Sequence, residues 1–425
     1  MTKKVIKMNF YEYLQTELTR IKTDNLYRDF KVLCSKPEAY VEYKGNKVLQ
    51  MSSNNYLGLA GDLRITEAVI KAVEKYGMGS TGSRLISGTH KLHTEIEEKL
   101  AELKGTEKAI VFSTGYAANI GAISALLTEK DAVYSDELNH ASIIDGIKLA
   151  RTNKFIYKHC DTQDLERLLE ENHKKYRFNV IITDSVFSMD GDIAPLKEIV
   201  SLKEKYNAVL FLDEAHAFGI YGEKGQGLAH ELGLNDKIDI QMGTLSKAAG
   251  SEGGYICGKS ELIEYLRNKS RSFIFSTAPS IPAIAASIKA VEIIGSDNEL
   301  REKLWKNIEY FQTVLNKLSN SIVIASDQRE RGNLFGQQSQ IDCHVSASRL
   351  LAMTNEAPKS AIFCIKFDDI EKTLQISQEL LEKHHIMASC IRPPTVKTPR
   401  IRLCTMALHT KQDLDYVLEK LSLFY

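Results

Sequence analysis

An excess of charge of either sign is missing from this 425-residue chain: 55 Lys+Arg stand against 55 Asp+Glu, a formal net charge of zero. That balance argues against a wide nucleic-acid footprint or a polybasic membrane patch. Long apolar runs are missing as well. A membrane-spanning helix needs roughly 18 or more uninterrupted apolar residues, and the best stretch, 281–295, is broken by Ser287, Lys289 and Glu292. The basic start (Lys3, Lys4, Lys7) runs into Asn9, Tyr11 and Glu12 rather than into the apolar centre of a secretion signal. Seven cysteines, an odd number without a C-x-x-C pair, fit neither a disulfide framework nor a zinc site. Internal repeats and low-complexity tracts are absent too. What is left, 43% hydrophobic and 26% charged residues, is the composition of a cytoplasmic globular protein long enough for two domains. A small-molecule enzyme is the first expectation.

Apolar patterning divides the chain. As far as about Gln50 the sequence is polar, with a short helical spacing of Phe10, Leu14, Leu18 and Ile21. From Lys108 onward, short apolar runs at 109–112, 132–134, 155–157, 180–182 and 209–212 alternate with amphipathic segments such as Leu165-Leu168-Leu169 and Ile199-Leu202-Tyr206. This alternation predicts βαβ crossovers and a parallel sheet, with ligands gathering beyond the carboxyl ends of the strands. After about Gly295 the rhythm changes to a helix over 300–318, a polar segment over 327–358, a strand over 362–367, and helices over 373–383 and 411–423. The expected division is an N-terminal segment (1–50), a large domain (51–290) and a smaller α+β domain (291–425). The 327–358 segment is long for a structureless loop, so a flap or hidden structure is expected there, with its role open.

Three constellations stand at strand ends. Ser113-Thr114-Gly115-Tyr116-Ala117-Ala118-Asn119 follows the first run and opens a helix, where unpaired N–H groups and the helix dipole favour an anion such as phosphate. Taken alone, it reads better as an ordinary turn capped by Ser and Thr. Asp213-Glu214-Ala215-His216 closes a hydrophobic strand, and Gly253 to Ser260 matches G-x-x-x-x-G-K-[ST] letter for letter, which together would describe an ATP hydrolase. The context is against it: no strand precedes the match, the apolar Tyr255-Ile256-Cys257 lies inside it, and it follows the acidic strand. Residues 255–258 are expected to be a strand instead.

The third constellation is Lys247, just past the 238–242 run and flanked by Ala248, Ala249, Gly250, Ser251, Gly253 and Gly254. Most lysines are solvated surface charges. One at a strand end among small residues has room for a planar group bonded to its nitrogen, as a Schiff-base lysine requires. A phosphate turn, a strand-end carboxylate and such a lysine are together what pyridoxal phosphate (PLP) needs. His216 and His140 would add a bond to the ring oxygen and a stacking face.

These residues sit within a longer series: Ser53-Asn54-Asn55-Tyr56-Leu57-Gly58-Leu59, Gly79-Ser80-Thr81-Gly82-Ser83-Arg84, Asn139 to Gly146, Asp184 to Asp192, Asp213 to His216 and Gly243 to Lys247. In this order, over about 27–409, the series resembles the α-oxoamine synthase family of fold-type I PLP enzymes. The resemblance implies an α/β, aspartate aminotransferase-like fold, with a mostly parallel sheet in a large domain and a smaller α+β C-terminal domain. It implies that Lys247 forms the internal aldimine and then removes the substrate α-proton. Asp213 would pair with the pyridine nitrogen, His216 bond the ring oxygen, His140 stack on the ring and Ser188 lie near its oxygen. Gly115, Tyr116 and Thr244 would surround the phosphate. Arg402 matches the residue that holds the substrate carboxylate, and Arg28 an arginine at the acyl entrance. Ser276 and Thr277 would reach the phosphate of a neighbouring subunit, so a homodimer is implied; no metal, nucleic acid or membrane is.

The run Ile391-Arg392-Pro393-Pro394-Thr395-Val396 resembles the biotin-pathway branch of the family, with Arg392 joining the substrate-binding set. That branch condenses L-alanine with pimeloyl-CoA or a pimeloyl carrier protein, with loss of carbon dioxide. Glycine-using and serine-using branches (2-amino-3-oxobutyrate CoA ligase, serine palmitoyltransferase) are the alternatives. Three departures from the family pattern concern the acyl side: Lys397-Thr398-Pro399, the 327–358 segment, and Phe363-Cys364-Ile365. They leave acyl chain length, and CoA against carrier protein, open. Cys343, His344 and Cys390 read as incidental rather than as metal ligands.

Overall fold

Short apolar runs of three to five residues form strands buried on both faces when helices cover the two sides. The computed structural model describes residues 9–332 and 360–424, with side chains placed through residue 318 of the first stretch. Each predicted run becomes a strand: β3 (Lys108–Phe112), β4 (Ala132–Asp136), β5 (Asn153–Tyr157), β6 (Asn179–Asp184), β7 (Val209–Asp213), β8 (Ile240–Thr244) and β9 (Gly254–Gly258). They make one seven-stranded sheet in the order β3-β9-β8-β7-β6-β4-β5, in which only β9 runs antiparallel to its neighbours. The fold is therefore α/β with a mostly parallel sheet. The stretch resembling a phosphate loop is β9 itself, all five residues buried, so it cannot wrap a nucleotide.

Period-two alternation divides the strand side chains between two cores. Ala109, Val111, Leu210 and Leu212 face one cluster, while Ile110, Phe112, Phe211 and Met242 face the other. The second is closed by α4 (Gly115–Leu126), α5 (Ala141–Ala150), α9 (Ser260–Lys269) and α10 (Arg271–Ile274). The first is closed by α2 (Leu63–Tyr76), α3 (Lys91–Lys104), α6 (Thr162–Asn172), α7 (Leu196–Lys205), α11 (Ile281–Ser296) and the start of α12 (Asn298–Gly332). A short α8 (Leu228–Glu231) follows β7.

The polar N-terminal stretch holds more than its helical spacing predicts. Helix α1 (Phe10–Thr23) buries none of its residues. After it, β1 (Tyr40–Tyr43) and β2 (Asn46–Gln50) pair antiparallel around Lys44 and Gly45, both at positive φ (50° and 76°). Two such residues between strands give a turn whose twist matches the hairpin. Beyond α12 come β10 (Ile362–Lys366), α13 (Ile370–Glu382), β11 (Ile386–Met387), β12 (Ser389–Ile391), β13 (Arg400–Cys404) and α14 (Lys411–Leu421). β10, β13 and β12 form an antiparallel sheet, and β11 adds in parallel to β2, so the hairpin near the N-terminus shares a sheet with the C-terminal part. Of the 327–358 segment, residues up to Gly332 continue α12; the remainder, with Cys343 and His344, lies outside the described residues. No helix among the described residues is long and apolar enough to cross a membrane.

Candidate active site

The carboxyl ends of β3, β4, β6, β7 and β8 converge on a cavity of about 230 Å³. Its lining includes Gly115, Tyr116, His140, Ser188, Asp213, His216, Thr244 and Lys247, eight of the sequence-predicted residues. This is where a doubly wound sheet places its ligands. A larger cavity, about 770 Å³, opens at the amino ends of β7 and β8 among Leu126, Phe178 and Leu262, and holds none of them.

One end of the smaller cavity is built for an anion. Thr114 caps α4 by accepting from the Ala117 N–H, so the N–H groups of Gly115 and Tyr116 begin a helix with no intrahelical acceptor before them. Backbone packs tightly behind the turn. A Cβ on Gly254 would stand 2.5 Å from Gly115 Cα, and a Cβ on Gly115 would stand 3.3 Å from Thr244 Oγ1. Thr244 Oγ1 donates to the Gly253 carbonyl at 2.8 Å and lies 2.8 Å from Ser246 Oγ.

The other end carries the titratable groups. Asp213 and Asp184 close adjacent strands in register. Asp213 accepts from Asn119 Nδ2 at 2.8 Å and from the Ala215 N–H at 2.9 Å, while Asp184 accepts from the His140 N–H at 2.9 Å. Burial, and then the Asp213 charge, hold the Asp184 carboxyl well above the usual carboxylate range. Lys247 Nζ lies 2.8 Å from Nε2 of His216, and the other ring nitrogen of that histidine lies 2.7 Å from the Tyr56 hydroxyl. Tyr56 in turn donates to Asn54 Oδ1 at 3.2 Å. That leaves His216 to donate from Nδ1 and to accept the lysine proton at Nε2. Burial pushes Lys247 down to about 8, against the pull of Asp213 and Asp184. Burial and the Lys247 charge hold His216 well below the ordinary imidazole range.

The loop between β6 and α7 brings Ser188 to the rim and is clamped from two sides. On one side the Ser188 carbonyl accepts from Arg402 Nε at 2.6 Å, and Asp190 pairs with Arg400 and with Lys366 (2.8 Å). On the other, His159 holds Asp136 through Nδ1 at 2.9 Å and Asp192 through Nε2. Burial opposes the charged ring, but those two carboxylate bonds outweigh it and push His159 up to about 12. Asp136, His159 and Cys160 bring a carboxylate, an imidazole and a thiol within 4.8 Å of one another. Both imidazole nitrogens are already taken by carboxylates, so the group is an ion-paired clamp.

A phosphate-sized anion turn, a carboxylate and a lysine of weakened basicity across one small cavity fit PLP. The aminotransferase class I and II family model matches residues 46–421. The chain belongs to that family. Within it, the chain belongs to the α-oxoamine synthases. It is 42% identical over 409 residues to the 8-amino-7-oxononanoate synthase of Thermoanaerobacter pseudethanolicus, covering 96% of this chain and 95% of that one. It is 42% identical over 412 residues to the enzyme of the same name from Thermosipho melanesiensis, covering 96% of each. Among solved structures, the serine palmitoyltransferase of S. paucimobilis with a bound PLP–myriocin aldimine superposes with a TM-score of 0.84 at 28% identity, over 97% of each chain. The 8-amino-7-oxononanoate synthase of Francisella tularensis does so with a TM-score of 0.68 at 25% identity, over 88% of this chain and 97% of that one.

Five predicted residues stand outside the lining of this α-oxoamine synthase cavity. Arg402 is buried behind it, donating to the Ser188 carbonyl and, at 3.0 Å, to Asn54 Oδ1. Arg392 donates to the carbonyls of Asn25 (2.9 Å) and Tyr27, and the exposed Arg28 donates to the Pro393 carbonyl at 3.0 Å. These bonds tie the stretch after α1 to the 391–396 run. Ser276 is half-buried and Thr277 exposed, and Thr277 bridges to Ser83. Four residues of the site were missed as individual contributors: Tyr56, Asn119, Ser142 and Asp184. Asp184 and Asn119 carried local signals, since Asp184 ends an apolar run as Asp213 does and Asn119 closes the turn that begins at Ser113; Tyr56 and Ser142 meet their partners only through folding.

Proposed function

We propose that the chain is a PLP-dependent acyltransferase that condenses L-alanine with pimeloyl-CoA or a pimeloyl carrier protein, giving 8-amino-7-oxononanoate for biotin biosynthesis. The observation that carries the reading is the 42% identity, over nearly the whole length, with relatives of that name, on a chain whose cavity fits PLP. The proposal includes a division into a segment 1–50, a PLP-binding domain 51–290 and a C-terminal domain 291–425, and a place in the cytoplasm.

PLP, when bound, supplies an electron-accepting ring that stabilises the charge left on the amino-acid carbon when a proton or carbon dioxide departs. The N–H groups of Gly115 and Tyr116 and the Thr244 hydroxyl would hold the phosphate. Asp213, oriented by Asn119 and the Ala215 N–H, would keep the ring nitrogen protonated. His216 and Ser188 would bond the ring oxygen, with His140 against the ring. Lys247 supplies the base: burial weakens its hold on a proton, so its amine becomes free to take the alanine α-proton as pH rises through about 8. Arg402, braced by Ser188 and Asn54, keeps a guanidinium behind the cavity for the substrate carboxylate. Arg28 and Arg392 would stand at the acyl side. The new carbon–carbon bond joins the alanine α-carbon to the thioester carbonyl as the thiol leaves, and the resulting β-keto acid loses carbon dioxide. Ser276 and Thr277, on the outside of one copy, would complete the phosphate site of a second, making a homodimer with shared sites.

The likeness to serine palmitoyltransferase, at a TM-score of 0.84, favours a second reading in which serine and a longer acyl thioester are used. Purified protein with PLP, given alanine, glycine or serine and acyl thioesters of graded length, separates the two by product mass. Alanine with a pimeloyl thioester should give 8-amino-7-oxononanoate. A strong preference for glycine or serine would overturn the proposal.

A further inference from the structure

Asn119 and Ser142 have no part in bond making, yet both lie in the cavity wall, 1% and 0% exposed. Asn119 Nδ2 lies 2.8 Å from Asp213 Oδ2 and 2.9 Å from Ser142 Oγ, and Ser142 Oγ lies 2.7 Å from His140 Nδ1. The direction of every bond in this chain follows from one fact: an ionised carboxylate only accepts. Asn119 must therefore turn its amide nitrogen, not its oxygen, toward Asp213. The second N–H of that nitrogen occupies a lone pair of Ser142 Oγ, and the hydroxyl proton is left to point at His140 Nδ1. The Ser142 backbone N–H approaches the same ring nitrogen at 3.3 Å, as the first bond of helix α5. A ring nitrogen that faces two donors carries no proton of its own, so the imidazole proton sits on Nε2. Among the described residues the Asn119 oxygen is buried without a partner, an arrangement that persists only when something else dictates the orientation of the amide.

We propose that Asn119 and Ser142 are positioning residues that use the Asp213 carboxylate to lock His140 as the neutral Nε2–H tautomer. One carboxylate then does two things: it faces the cavity, and through three hydrogen bonds it sets the protonation of a ring lining the same cavity. A neutral ring adds no positive charge beside Lys247, and Nε2–H becomes the one donor of the His140 imidazole. The charged and titratable groups around it are Asp213, Asp184 below its backbone N–H, Lys247, His216, and Tyr116, whose ring lies 6.3 Å away edge-on. Burial opposes protonation of the ring, as does Lys247, while Asp213 favours it.

The tautomer can be read directly from the protein labelled with 15N-histidine, with PLP bound and with PLP removed. His140, assigned by the loss of its signals in His140→Gln, should show an unprotonated Nδ1 and a protonated Nε2 at about pH 7. Asn119→Ala should mix the two tautomers and weaken PLP binding roughly tenfold, the worth of one hydrogen bond to a charged group. Ser142→Thr, which keeps the hydroxyl, should keep the wild-type ring signals. A proton on Nδ1, or a fully protonated ring, in the unsubstituted protein would overturn the proposal. So would Asn119→Ala with unchanged ring signals and unchanged PLP affinity. The consequence for PLP rests on the proposed function, whereas the PLP-free measurement does not. Protein with the expected ring signals that fails to use alanine would leave the relay standing and remove only the substrate assignment.

Discussion

Lys247 and His216 meet nitrogen to nitrogen at 2.8 Å, in surroundings that depress the proton affinity of both. Tyr56 holds the far side of the imidazole, so the ring cannot turn away and its Nε2 stays an acceptor for the lysine. The fold itself therefore aligns the pair as proton donor and acceptor, with Tyr56 fixing the ring.

The lysine gives the first expectation. With its proton affinity pushed down to about 8, the amine is protonated below that pH and free above it. The rate at which PLP-free protein takes up PLP, followed by visible absorbance, should therefore rise with pH through about 8 and level off. Lys247→Ala should abolish both the bound absorption band and condensation. A pH-independent uptake rate, or a band that survives the substitution, would count against this role.

Beneath the site, Glu214 points away from Asp213 into a fully enclosed ion pair with Lys104, and also accepts from the Ala229 N–H at 3.0 Å. Removing one partner strands a charge in the interior. Glu214→Leu or Lys104→Met alone should cost about 3–5 kcal/mol of stability by urea denaturation, and the double variant should recover much of it. A single-variant loss below about 1 kcal/mol, the range of a surface pair, would contradict the enclosure.

Gly254 is the point where β9 passes against the start of α4. Its substitution by Ala puts a methyl group onto the Gly115 backbone, which cannot yield without moving the anion turn. Gly254→Ala should lose about 1–3 kcal/mol in stability and bind PLP more weakly by equilibrium titration. Wild-type PLP affinity would mean that the turn is not the phosphate seat.

His409 links β2 to the segment after β13. It accepts from the Met406 N–H at Nδ1 (3.1 Å), so its Nε2–H donates to the Gln50 carbonyl at 3.1 Å. Burial pushes it down to about 4, and the folded protein therefore holds it neutral where the unfolded chain would already be protonated. Its stabilising contribution is complete above the ordinary imidazole range and is lost as pH falls toward 4. Melting temperatures of wild type and His409→Gln should converge as pH is lowered through that window. A gap that widens on acidification would reverse the sign.

Much of this molecule was legible from local pattern. Six of the seven strands could be found because a strand buried on both faces is a short uninterrupted apolar run, and the edge strand β5, whose burial alternates, by its Phe155-Ile156-Tyr157 run; Asp213 and Lys247 each stand just past such a run. The hairpin at residues 40–50 was missed: its apolar positions are few and alternate with charges, and its signal was the two-residue Lys44-Gly45 turn. The antiparallel direction of β9 was also hidden, since a buried strand reads the same in either direction and only the short connection from β8 decides it.

The sequence by itself determined the sheet, the strand-end acid and lysine, and the Thr114-capped turn that opens α4, because each depends on neighbours within a few residues. Tertiary structure alone decided how these groups are held. Asn119 reaches Asp213 across 94 residues and Tyr56 reaches His216 across 160. Nothing in the spacing of an Asn or a Tyr announces such a partner. Hydrogen bonds between distant side chains exist only once packing has closed the loops between them, and it is those bonds, rather than the residue types, that set which proton sits where.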